Sequence, residues 1–295
     1  MQRRRGASMG HGSRAPVCGY HIPGLLEWCA AVYDGIRRTP VRRQRPDRTW
    51  CLMVRAWPVA LVLGALAQPA LAGPPYISDD PEPTDYTHFE IYSFNLGTAT
   101  QSGTSGMAGI DFNYGAAPDL QLTAMLPAGF NNPAGDLASI GMTNIELAAK
   151  YRFLHQDTFG LDVSIFPRVF LPSGSNTIGY SRAGLLLPIW VQKDWGGGWS
   201  AFGGGGCMVG GLGSEDFCLA GGVLTYQLLP KLQIGAEFFH QTADRAETPA
   251  TSSLGVGVRY DLNDNYHLLG YVSRGIENTN ETNQLSWYAS ILFTF

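Results

Sequence analysis

The sequence predicts a transmembrane antiparallel up-and-down β-barrel of about 12 strands. Three observations carry this expectation. Segments of about ten residues alternate apolar and polar side chains with a period of two. The connections between them alternate between short turns and longer polar loops. The last segment presents one wholly apolar face and ends on an aromatic residue. A soluble β-sandwich is the competing fold, but it needs neither the long–short alternation nor lipid-compatible residues on nearly every outer face.

The barrel occupies only part of the chain. Residues 1–72 hold 11 Arg and 3 acids, whereas residues 73–295 hold 9 Lys+Arg and 21 Asp+Glu. The two parts are different physical objects. From Met53 to Ala72 the chain reads as a secretory signal: Arg55 is the basic start, Val59 to Ala67 the short apolar core, and Ala70 and Ala72 form an A-x-A cleavage site, so the mature chain begins at Gly73. Residues 1–52 are Arg-rich and aperiodic, and read as an extension from a start codon placed too early. Residues 73–85 read as an acidic, proline-rich periplasmic extension, and residues 86–295 as the barrel. The acids Asp79, Asp80, Glu82 and Asp85 offer oxygen ligands of the kind Ca²⁺ takes, but Pro81 and Pro83 favour a stiff extended arm. No metal and no cofactor are expected.

The strands fall near 86–95, 105–114, 119–127, 143–154, 159–171, 183–193, 199–208, 217–228, 231–241, 253–262, 266–274 and 284–295. The clearest is 143–154, where Ile145, Leu147, Ala149, Tyr151 and Phe153 face one way and Glu146, Lys150 and Arg152 the other. Short turns are expected at 115–118, 155–158, 194–198, 229–230 and 263–265, with longer loops at 96–104, 128–142, 172–182, 209–216, 242–252 and 275–283. In the last strand Trp287, Ala289, Ile291, Phe293 and Phe295 form the apolar face that serves as the signal to the barrel-assembly machinery. These features point to the outer membrane of a Gram-negative bacterium, with outer-membrane lipid around the wall.

Charges on strands have only the lumen to occupy, because a lipid-facing Arg costs roughly 2–4 kcal/mol at mid-membrane. The expected lumen set is Glu90, Asp111, Glu146, Asp162, Glu237 and Asp261 with Lys150, Arg152, Arg168, Arg259 and Arg274. Phe166, Phe170 and Phe239 share that parity; they meet an aromatic solute, or pack against the N-terminal extension or one another. Strands 143–154 and 159–171 are expected to pair so that Glu146 faces Arg168 and Arg152 faces Asp162, a ladder of opposite charges. Cys207 and Cys218, the two cysteines after the signal segment, are expected to form a disulfide across one external loop, as an oxidising compartment allows.

Several stretches resemble the outer-membrane transporter family named for the phenol-degradation meta pathway. They are Gly73 to Glu90, Glu146 to Phe153, Phe166 to Gly174, Leu187 to Asp194, Gly235 to Asp244 and Thr282 to Phe295. The resemblance spans the mature chain. It implies a barrel that moves small, often aromatic or apolar compounds across the outer membrane, and it supplies no binding residues; passive diffusion through the charged lumen is the expected mode. Two other readings remain open: a structural or adhesive barrel, and a lipid-acting barrel hydrolase built on His240 with Ser252 or Ser253. The acidic mature chain disfavours nucleic acid as a partner.

Overall fold

The structure, a computed structural model, describes residues 75–175, 178–210, 216–246 and 248–295. The expected extension 1–52, the signal 53–72 and the cleavage residues Ala70, Ala72 and Gly73 lie outside the described residues. The remainder is a closed antiparallel barrel of 12 staves. In chain order its strands are β1 (Phe89–Thr100), β2 (Gly103–Ala117), β3 (Leu120–Pro133), β4 (Ser139–Met142), β5 (Glu146–Leu154), β6 (Asp162–Ile165), β7 (Arg168–Phe170), β8 (Gly184–Gly196), β9 (Trp199–Val209), β10 (Phe217–Leu229), β11 (Leu232–Gln241), β12 (Thr251–Asp261), β13 (Tyr266–Gly275) and β14 (Leu285–Thr294). Two helical turns, α1 (Gln156–Phe159) and α2 (Thr279–Thr282), sit in loops. β4 with β5, and β6 with β7, each make one interrupted stave. The second is broken at Phe166 and Pro167, since proline cannot donate to a ladder.

Alternation along each strand decides what faces lipid. Leu122, Leu126, Leu147, Phe153, Ile189, Phe238, Leu254, Val256 and Ile291 are exposed on the outer surface. Their neighbours one residue away, such as Thr123, Glu237, Ser253 and Leu292, are buried inside. At the end of the barrel that carries the short turns, rings gather into a girdle. Phe89 stacks on Tyr114 at 4.6 Å and on Phe295 at 5.4 Å, Tyr266 meets Phe293 at 5.3 Å, and Trp199 meets Tyr226 at 4.6 Å. Such belts mark the membrane–water interface.

The seam closes between β1 and β14, from Glu90 opposite Thr294 to Ala99 opposite Leu285. Beyond it, the Phe89 amide donates to the Phe295 carbonyl at 2.8 Å and the Phe295 amide donates back at 3.1 Å. The predicted apolar face of the last strand, from Trp287 to Phe295, lies on the outer surface.

Three expectations about the wall need correction. Residues 96–104 are not a long loop: β1 and β2 run on through them and turn at Gln101 and Ser102. Above the membrane a strand needs pairing but no apolar residues, so its small polar sequence reads as loop. For the same reason β3 continues to Pro133 into the expected loop 128–142. Finally, β5 meets β6 and β7 two residues away from the expected register, with Arg152 opposite Ser164 and Glu146 opposite Phe170. The turn α1 lengthens that hairpin and a bulge lies between Arg152 and Leu154. A shift of two keeps every side chain on its face.

Deleting Phe295 removes both terminal hydrogen bonds and one ring of the girdle. The truncated protein is expected to be depleted from outer membranes by several-fold, as read by fractionation and heat-modifiable gel mobility; wild-type levels of folded barrel would contradict this role for the seam.

Candidate functional site: a barrel lumen occupied by its own N-terminal arm

The expectation that residues 73–85 hang in the periplasm is overturned for the described part. From Pro75 to Thr84 the chain is threaded into the barrel, where Ser78, Asp80 and Thr84 are all under a tenth exposed. An extended proline-rich segment has backbone groups that no neighbouring strand satisfies, so wall side chains take that role. Glu237 of β11 accepts from the Ser78 amide at 2.6 Å and the Ile77 amide at 3.2 Å. Gln121 of β3 accepts from the Thr84 amide at 2.8 Å. Lys150 of β5 holds Asp79 at 3.1 Å and Asp80 at 3.6 Å, and donates to the Glu82 carbonyl at 3.3 Å. Tyr76 packs edge-on against Phe202 and Tyr271, with centroids 5.9 and 5.7 Å away. Glycines clear its path: a Cβ at Gly235 or Gly257 would collide with the Tyr76 ring, and one at Gly221 with Ser78.

The predicted lumen charges can now be placed. Arg168 grips Glu146 with two bonds, Nε to Oε1 at 2.6 Å and Nη2 to Oε2 at 2.8 Å. Arg152 lies 3.0 Å from Asp119 and 3.7 Å from Asp162. Both predicted opposite-charge pairs therefore meet, though diagonally across the shifted register. Arg259 donates to Asp261 at 2.9 Å, and His267 reaches the same carboxylate at 2.6 Å. Glu90, Asp111, Glu237 and Phe239 also face inward. Phe166 lies under the Lys150 ammonium at 4.9 Å, and Phe170 lies 5.9 Å from the Arg168 guanidinium. Arg274 is the exception. It pairs with outward Leu254 and is itself exposed, so it stands on the outer surface at the rim where β13 ends. A charge there sits at headgroup level, which removes the cost that assigned it to the lumen.

The arm shares the lumen with a cavity of 380 Å³. Its wall includes Tyr76 and Asp79 of the arm, Glu90, Tyr92 and Phe94 of β1, Asp111 of β2, Glu146 and Lys150 of β5, Arg168 of β7, and Tyr288 of β14. Phe94 and Tyr288 lie nearly parallel at 6.5 Å. The strand-1 rings were missed in the sequence, although the inward parity of Glu90 extends to Tyr92 and Phe94. Packing of the extension against the inward phenylalanines was one reading of the sequence, but the individual arm contacts were missed because nothing local names the wall partners of a segment that enters a barrel.

Cys207 and Cys218 are bonded, with Sγ atoms 2.02 Å apart, and join directly paired positions of β9 and β10 on the outer surface. His240 and Ser252 do approach, at 2.8 Å between Nδ1 and Oγ, but the Ser252 hydroxyl donates to Glu277 at 2.7 Å. The carboxylate thus engages the serine directly and lies 4.0 Å from the same ring nitrogen of His240, so the order differs from a nucleophile–histidine–acid chain.

No protein-family model and no curated protein sequence matches the chain. Among solved structures, the fold is similar to an outer membrane channel from Pseudomonas putida F1, with TM-score 0.63 and 14% identity over 73% of this chain and 98% of that one. It is also similar to the KdgM porin in complex with disordered oligogalacturonate, with TM-score 0.50 and 12% identity over 70% of this chain and 99% of that one. What the chain shares with these neighbours is the fold, a closed antiparallel β-barrel.

One carboxylate of the arm titrates unusually. Glu82, Asp162 and Asp194 bring oxygens within 4.8 Å of one another, with Gln192 Nε2 donating to Glu82 at 3.2 Å. Burial pushes the Glu82 carboxyl up to about 8, with Asp80, Asp194 and Asp162 adding to the rise and Arg152 opposing it. A raised carboxyl favours the neutral form in the seated arm. The Glu82 contribution to seating is thus fully present below the ordinary value of 4.5 and is lost as pH rises through about 8. Hydrogen exchange at the Ser78 and Thr84 amides, corrected for intrinsic rates, is expected to show protection falling across that window. Glu82→Gln should flatten the dependence; an unchanged slope in that variant would reject Glu82 as its source.

Proposed function

We propose that this chain is a channel of the Gram-negative outer membrane through which small compounds, aromatic or apolar in body, diffuse passively past the seated arm. The observation that carries this reading is the ring-lined, charged cavity left beside the arm. A barrel serving only as a scaffold has no need of an internal space walled by Tyr76, Tyr92, Phe94 and Tyr288. The short stretches that resemble the meta-pathway family support the same solute class, and the names of the two structural neighbours, a channel and a porin, support conduction. Export by the signal segment and insertion through the barrel-assembly machinery complete the proposal. A structural or adhesive barrel is separated from it by conductance.

The lumen wall supplies the selectivity in this reading, as rings of charged side chains do in other pores. The arm narrows the passage and the Arg168–Glu146 pair sets the charge at one side of it.

In planar bilayers the purified barrel is expected to conduct a small ohmic current, and removal of residues 75–84 should raise it several-fold. Arg168→Ala frees the Glu146 carboxylate and should move the reversal potential in a salt gradient toward cation selectivity. A silent barrel, both with and without the arm, would reject the channel. An unchanged reversal potential in a conducting variant would show that the pair is filler.

A further inference from the structure

The charges around the cavity do not balance. Four carboxylates line it, Asp79, Glu90, Asp111 and Glu146, against two cations, Lys150 and Arg168. Both cations are already engaged, Lys150 with Asp79 at 3.1 Å and Arg168 with Glu146 at 2.6 Å. Among the described residues neither Glu90 nor Asp111 has a cationic side chain within ion-pair distance. Glu90 accepts from the Tyr92 hydroxyl at 3.1 Å, and Asp111 from Asn113 Nδ2 at 3.3 Å. Register places the two acids as diagonal neighbours on adjacent strands, with Glu90 opposite Asn113 and Asp111 opposite Tyr92. Such diagonal positions are about 7–8 Å apart, a span that one small solute can serve from between them.

Water-poor surroundings make an unpaired carboxylate costly, and a bound counter-charge removes the cost. The rings beside these acids add a second preference. The π-faces of Tyr92, Phe94 and Tyr288 attract cations and accept flat apolar bodies. We infer that this cavity is a binding site for a small organic cation, an ammonium group carrying an aromatic body, with Glu90 and Asp111 holding the ammonium and the rings holding the body. The inference rests on the channel reading for its biological use, but the binding itself does not. An anionic solute finds no uncommitted cation in this lining, and a neutral one leaves the two acids without a counter-charge.

Three probes of one size and shape separate these cases: benzylamine, charged at neutral pH, benzyl alcohol and benzoate. Titration calorimetry on the whole folded barrel in detergent is expected to give benzylamine at least tenfold tighter binding than benzyl alcohol, with benzoate weakest. Glu90→Gln together with Asp111→Asn should erase the advantage of benzylamine over benzyl alcohol. Each single replacement should remove part of it, and serves if the pair does not fold. Equal or tighter binding of benzyl alcohol or benzoate overturns the assignment, as does an unaltered benzylamine preference in folded variants. Bilayer conductance of the same preparation keeps the two claims apart. A conducting barrel without the preference sinks this inference alone, while a non-conducting barrel with the preference sinks the channel and leaves the site.

Discussion

The inside of this 12-stave barrel holds charged side chains that are almost wholly buried, among them Glu146, Lys150 and Glu237. Every inward charge therefore needs a partner, and the N-terminal arm supplies several of them. Lys150, almost wholly buried, is the clearest case: its ammonium would be stranded without Asp79, Asp80 and the Glu82 carbonyl. Stranding a buried charge costs several kcal/mol, far more than the roughly 0.2–1 kcal/mol of an exposed cross-strand pair. On the opposite wall, Glu237 has no Lys or Arg within ion-pair distance among the described residues and is met instead by the Ile77 and Ser78 amides. The arm thus completes the electrostatics of both walls.

That constraint accounts for features that look unrelated along the chain. Glycines at 221, 235 and 257 lie on three consecutive strands and leave room for Ser78 and Tyr76. Gln121 spends its side-chain carbonyl on the arm and its amide on Asn113 and Thr123, which ties the arm into the wall network. With Tyr76 turned toward β9 and β13, the free space collects against β1, β2, β5 and β14. The cavity and the arm are in that sense one structure, and the arm brings Asp79 but no Lys or Arg to the wall on which Glu90 and Asp111 stand.

Much of the wall was legible in the sequence because lipid imposes a strict alternation. The faces of β5, β11 and β12 are those that Leu147, Phe238 and Val256 predict. Alternation fails where lipid stops acting. It could not show that 96–104 continues as strand, nor that Arg274 stands outside at the rim, since polar residues above the membrane carry no facing information. Register was fixed only up to a shift of two, because Glu146 and Arg168 meet across the diagonal as well as across the rung. The arm was illegible for a different reason. Its contacts are made by strands distant in sequence, as with Ser78 and Glu237, 159 residues apart, and no local pattern encodes such a partner.

The seat of the arm inside the lumen is the central claim, and a single covalent test reaches it. Ser78 lies where a side chain at Gly221 would begin, so the pair Ser78→Cys and Gly221→Cys should oxidise to a second disulfide in native outer membranes. Intact mass after thiol labelling of the denatured, unreduced protein should show neither new cysteine modified. Two labelled thiols in a folded barrel, despite full oxidation, would place the arm outside the lumen and contradict the account.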